Sequence, residues 1–172
     1  GGLKETSPQT AVQIGNAIEE RKLMDFILEA AEKNLFTCIT DCGAGGFSSA
    51  IGEMATGLGA RVDLKNAPLK YKNLLPWQIW VSESQERMIL SVPKQHLQKL
   101  AEIAKTEEVE IAVLGEFTQT GILEVYFDAE PLVHLDLRFL HNGLVTQRRQ
   151  AKYAKPVFEE PTISLEPDLG KT

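Results

Sequence analysis

Thr40-Asp41-Cys42-Gly43-Ala44-Gly45-Gly46-Phe47-Ser48-Ser49 is the stretch on which the fold of this chain turns. The residues before it, Phe36 to Asp41, are rich in β-formers and predict a short buried strand. Four small residues, Gly43 to Gly46, then force a tight loop. After the loop, Phe47, Ile51, Met54, Ala55 and Leu58 recur at helical spacing, and Gly57 with Gly59 predicts the stop. A strand that enters a glycine loop opening a helix gathers backbone N–H donors at one point. Glycines let the main chain approach a ligand, and the helix start adds partial positive charge, which suits phosphate. Asp41, at the strand end, is placed to be a Mg²⁺ ligand, since magnesium takes one or two protein carboxylates and completes its shell with water and phosphate oxygens. A plainer reading stays open, in which Asp41 caps the loop and the glycines only turn the chain. The loop is neither a Walker loop nor a dinucleotide fingerprint.

Working outward, residues 1–9 read as a loop, and Leu23, Phe26, Ile27, Ala30 and Ala31 predict one face of an amphipathic helix. Downstream, residues 61–64 predict a strand and 66–75 a loop. Pro76 opens a short helix carrying Trp77 and Trp80. A strand over 87–92 follows, then a helix from Pro93 with Leu97, Leu100, Ala101 and Ala104 facing inward and His96 on its exposed face. Residues 110–114, 122–127 and 132–136 are strand candidates separated by Gly115, Gly121 and Pro131. The sum is an α+β fold, a mixed sheet packed with helices. From Ala151 onward Lys, Pro and Glu dominate, the composition of a linker.

The chain has 172 residues, 43% hydrophobic and 24% charged, which predicts one globular domain. A net charge of −6 argues against a nucleic-acid partner, which calls for a basic face. No apolar run approaches the roughly 20 residues of a membrane span, and no secretory signal is visible, so a cytoplasmic protein is expected. The chain starts at Gly1, which reads as a piece of a longer polypeptide. Cys38 and Cys42 lie about 13 Å apart along an extended segment, too far for a disulfide, and their spacing does not make a zinc site. Both are expected to be small buried hydrophobes.

Ser82-Glu83-Ser84-Gln85-Glu86-Arg87 places a polar run between the tryptophan-bearing helix and an apolar strand. Glu83 and Gln85 can make paired hydrogen bonds to hydroxyls or amides, which suits a sugar or amide ligand. A solvated corner with a Glu86–Arg87 pair accounts for the same residues.

Val12-Gln13-Ile14-Gly15, the Thr40–Ser49 stretch, Gly52-Glu53-Met54-Ala55 and Ser82 to Met88 together closely resemble, in order and spacing, the large synthetase subunit of phosphoribosylformylglycinamidine synthase. The resemblance runs from about Thr10 to Gly143, and Ser-Glu-Ser-Gln-Glu-Arg-Met is its most specific string. It implies a three-layer domain of the aminoimidazole ribonucleotide synthetase C-terminal type over 10–150, flanked by the 1–9 loop and a 151–172 linker. The implied reaction converts formylglycinamide ribonucleotide, ATP and glutamine-derived ammonia to formylglycinamidine ribonucleotide, ADP and phosphate, with Mg²⁺, in purine biosynthesis. In such enzymes the amide oxygen attacks the γ-phosphate, and the resulting iminophosphate releases phosphate when ammonia adds. By resemblance Gln13, Glu83, Ser84 and Gln85 contact the substrate and Asp41 binds the metal. The implied partners are a glutaminase subunit, a small accessory subunit and a preceding ATP-binding domain of the same polypeptide.

No catalytic residue is assigned within this chain, because the family's catalytic histidines precede it. His96, His134 and His141 are not promoted in their place, and Glu53 reads as a helix-surface carboxylate. After Gly15 many members continue Asp-Pro where this chain has Asn16-Ala17, so position 16 receives no site role. Competing expectations are a sibling of the same superfamily (aminoimidazole ribonucleotide synthetase, selenophosphate synthetase or thiamine-phosphate kinase) and a non-catalytic scaffold or docking domain.

Overall fold

A computed structural model describes residues 12–13, 15–69, 73–146 and 148–161, with Val12, Gln13 and Gln85 as backbone only. The loop expected over 1–9, the end of the expected linker over 162–172, and the side chains of Gln13 and Gln85 lie outside the described residues. In chain order the elements are β1 (Val12–Gln13), α1 (Ala17–Glu32), β2 (Cys38–Cys42), α2 (Gly46–Met54), β3 (Ala60–Asp63), α3 (Pro76–Val81), β4 (Glu83–Ser91), α4 (Leu97–Thr106), β5 (Gly115–Phe117), β6 (Ile122–Phe127), β7 (Glu130–Asp136) and α5 (Leu137–Asn142). This is the expected α+β class.

Local chemistry explains the boundaries. Asn16 accepts a hydrogen bond from the Ile18 N–H at 3.1 Å and so caps α1, as an aspartate would. Glu19 and Glu20 in the first turn favour the positive end of the helix dipole. At the other end Asn34 takes φ 53° and the Leu35 N–H returns to the Ala30 carbonyl at 3.0 Å, closing the helix in a Schellman turn. α3 begins at Pro76 as expected, with Gln78 accepting from the Leu75 N–H at 2.8 Å. Asp136 accepts from the Arg138 N–H at 2.7 Å and starts α5, a helix that the strand-rich reading of this region did not anticipate.

Among the described residues the strands divide into two mixed sheets, β1-β4-β2 and β5-β3-β6-β7. β1 runs parallel to β4 and β3 to β6, and the other pairs are antiparallel. α2 lies at the centre of the larger core. Its Phe47, Ala50 and Ile51 meet Cys42 of β2, Ala60 and Val62 of β3, Leu123 and Val125 of β6, and Ile79 of α3. A second cluster joins Phe26 and Ala30 of α1 to Leu100, Ile103 and Ala104 of α4. Each fully buried Leu, Ile or Phe side chain in these clusters stabilises the fold by about 1.5–3 kcal/mol.

Several expectations need correction. β2 is an edge strand and is mostly exposed, because β4 occupies the middle of its sheet. Cys38 is therefore exposed while Cys42 is buried, and both thiols are free. Residues 110–114 form no strand. Ile111 and Val113 are exposed, and contact with β3 starts at Leu114, whose carbonyl accepts from the Asp63 N–H at 2.7 Å, and continues at Gly115, where an added Cβ would lie 2.8 Å from the Arg61 carbonyl carbon. β-Branched composition makes a segment competent to pair, but pairing also needs a partner within reach. Ala31 and Ala101 are exposed, and Ile103 takes the core position on α4. α2 ends at Met54, short of Leu58, in a turn that places Gly57 at φ 77°.

Candidate functional site

The glycine-loop end of the β1-β4-β2 sheet brings the separate sequence motifs together. β1 pairs Gln13 with Ser84 and β2 pairs Cys42 with the same Ser84, so three distant segments form one row across the sheet. Beside that row, Asp41 pairs with Met88. One step along β2, from Asp41 to Cys42, corresponds to four steps along β4, from Met88 to Ser84. Gln85, Glu86 and Arg87 therefore bulge out of the ladder opposite the strand end that carries Asp41. The polar run is thus the first half of a strand and not a solvated corner, with Ser82 and Ser84 buried and Glu83 half-buried.

Asp41 is exposed, and its carboxylate folds back over the loop, since a Cβ on Gly43 would lie 2.7 Å from Oδ2. Gly46 takes φ 55°, and a Cβ there would lie 2.8 Å from the Ser82 carbonyl carbon and 2.9 Å from that of Val81. Only glycine lets the start of α2 press against the backbone leading into β4. Two serines hold the loop's shape: Ser48 Oγ donates to the Gly45 carbonyl at 2.6 Å and Ser49 Oγ to the Ala44 carbonyl at 2.5 Å. A carboxylate over a glycine loop, at a helix start, fits one protein ligand of a Mg²⁺ whose other positions are water and phosphate oxygens. Among the described residues no cluster of three or more His, Cys, Asp or Glu side chains surrounds it.

Beneath the loop lie residues whose roles the sequence did not disclose. The Arg87 guanidinium stacks on the Phe47 ring with its carbon 3.9 Å from the centroid, and Nη2 donates to the Ser82 carbonyl. Its Nε is buried with no hydrogen-bond partner among the described residues. Burial lowers the pKa of Arg87, which remains a cation at neutral pH. Burial likewise pushes the Cys42 thiol up, outweighing the opposite pull of the adjacent Arg87. Glu86 accepts from the Asn16 N–H, tying the bulge to the start of α1. The polar run was legible as a candidate, but nothing local in it signals that Arg87 turns inward.

The histidines take no part in this junction. His96 is half-buried, not on an exposed helix face, with Nδ1 3.3 Å from the Leu35 carbonyl. His141 Nε2 is 3.1 Å from both Thr56 Oγ1 and the Gly52 carbonyl, and His134 is exposed on β7. A groove of about 1700 Å³ between the sheets reaches the junction at Ser84, Glu86 and Arg87, and a smaller cavity of about 470 Å³ lies along α2 near Glu53 and Trp80. Neither is lined by Asp41, so the carboxylate faces open solvent and not either cavity.

Residues 1–128 match the family AIR synthase related protein, C-terminal domain, and the chain belongs to that family. It is 39% identical over 156 residues to the phosphoribosylformylglycinamidine synthase subunit PurL of Picrophilus torridus, a match covering 90% of this chain and 21% of the relative. The Thermoplasma acidophilum subunit is 35% identical over 169 residues, covering 97% of this chain and 22% of its own length. Thermotoga maritima PurL complexed with FGAR superposes with a TM-score of 0.78 at 30% identity, over 86% of this chain and 25% of that one. The same protein complexed with ATP gives 0.77 at 30% identity, over 86% and 26%. The chain spans about a fifth of the length of the curated relatives it matches.

Proposed function

We propose that this chain forms one wall of the formylglycinamide ribonucleotide site of a phosphoribosylformylglycinamidine synthase, the ATP-dependent ligase of purine biosynthesis. The observation that carries the reading is the row Gln13, Ser84 and Cys42 across the sheet, with Asp41 next to it over a glycine loop. In this reading Gln13, Glu83, Ser84 and Gln85 orient the ribonucleotide and Asp41 is the Mg²⁺ ligand. Bound Mg²⁺ neutralises charge on the transferred phosphoryl group. The chain's own residues position the formylglycinamide oxygen for attack on the γ-phosphate of ATP, and that oxygen departs as phosphate when ammonia adds. The open face at Asp41 is closed by other parts of a polypeptide as long as the relatives, which also supply the ATP contacts. Residues 10–150 form the domain, with 1–9 and 151–172 as flanking segments.

The proposed partners are a glutaminase subunit and a small accessory subunit, in keeping with the Thermotoga maritima structure named PurLQS. No helix among the described residues is long and apolar enough to cross a membrane, and the proposed place of action is the cytoplasm. The test is titration of formylglycinamide ribonucleotide and Mg²⁺ into the full-length subunit carrying this chain. Asp41→Asn is expected to raise the Mg²⁺ needed for half-maximal turnover by roughly tenfold or more, and Gln85→Ala to raise KM for the ribonucleotide by a similar factor. Wild-type behaviour in both variants would favour a scaffold or docking domain.

A further inference from the structure

We propose that Arg87 is a positioning residue for this site: its guanidinium sets the spacing between the glycine loop and the Ser82–Gln85 backbone. The role rests on the ribonucleotide assignment proposed above. Arg87 makes two kinds of contact at once. Its flat face covers Phe47, the second residue of α2, while Nη2 donates to the carbonyl of Ser82, the residue that leads into β4. Gly46 brings these same two backbone segments into direct contact. Phe47, Arg87, Ser82 and Gly46 thus close a ring that fixes the helix start against the strand start.

The bulge at Gln85, Glu86 and Arg87 is what sends Arg87 back toward Ser82 along its own strand. Stacking through the face and donating from the edge together require a guanidinium, since a lysine ammonium cannot do both. One donor, Nε, is buried and unpaired among the described residues. The guanidinium also meets the side chain of Cys42, which shares its row with Ser84, so Arg87 touches β2 as well as α2 and the start of β4. Arg87 is therefore placed to act through Glu83, Ser84 and Gln85 without itself touching substrate.

The experiment compares Arg87→Met, Arg87→Lys and Arg87→Ala in the full-length subunit, with kcat, KM for each substrate and thermal midpoint measured side by side. Arg87→Met is expected to raise KM for formylglycinamide ribonucleotide by about tenfold or more while KM for ATP stays within about twofold. Arg87→Lys should show the same split in weaker form, and it carries the test if Arg87→Met fails to fold. Added methylguanidinium should lower the raised KM of Arg87→Ala. Unchanged KM for the ribonucleotide would overturn the proposal, as would losses in kcat and both KM values that simply follow a lowered thermal midpoint. Asp41→Asn and Glu83→Ala are run in parallel. If they too behave as wild type, the ribonucleotide assignment itself has failed. If they are impaired and the Arg87 variants are not, only the positioning role falls.

Discussion

Cys38 and Cys42 show how far apart two like residues on one strand can be driven by their surroundings. Cys42 turns into the core under α2, where burial raises its pKa, while Cys38 faces solvent on the edge strand. Iodoacetamide is therefore expected to label Cys38 promptly and Cys42 only on unfolding, as peptide mass spectrometry would show; equal labelling rates would contradict the burial of Cys42. The same shift has a sign in stability. Because the folded thiol keeps its proton to higher pH than an unfolded one, the folded state binds more protons above about pH 8.5. The stabilisation is complete below that value and is lost as pH rises through the folded pKa, so the denaturation midpoint should fall on the alkaline side and do so less in Cys42→Ala. Spacing along the chain could mark both cysteines as too far apart to bond. It could not assign them to opposite environments, because four positions apart on a strand they share a face, and the core covers that face only at the Cys42 end.

Among the elements, residues 110–114 and β6 have similar apolar, β-forming compositions and opposite fates. β6 lies between β3 and β7, with Leu123 and Val125 buried, whereas Ile111 and Val113 stay exposed with no strand beside them among the described residues. Leu123→Ala is expected to cost about 2–4 kcal/mol in urea denaturation, as for other large-to-small changes in a core. Val113→Thr should stay within about 0.5 kcal/mol of the parent, as is usual for surface changes. Comparable losses for the two would mean that Val113 is packed after all. The strand–glycine loop–helix junction was legible because each of its parts is written locally: β-formers, then glycines, then a helical stripe. β4 was half legible, since its polar first half lacks the alternation of a half-buried strand and owes its pairing to β1 and β2.

Across the molecule the two clusters are unequal. The larger is built around α2 and draws on both sheets, while the smaller joins α1 to α4, with Leu90 of β4 packed against it. The open groove between the sheets leaves the smaller cluster with less burial to hold it. Native-state hydrogen exchange is expected to show amides of β3 and β6 as the slowest and those of α1 and α4 as opening at lower free energy. A single uniform protection level would contradict this division. Helix stripes, caps, the glycine loop and the α+β class were readable from the order of residues, because each depends on neighbours a few positions away. The split into two sheets, the alignment of Gln13, Ser84 and Cys42, the three-residue bulge and the inward turn of Arg87 were settled by folding, because each needs a partner from a distant stretch of chain whose register no local pattern encodes.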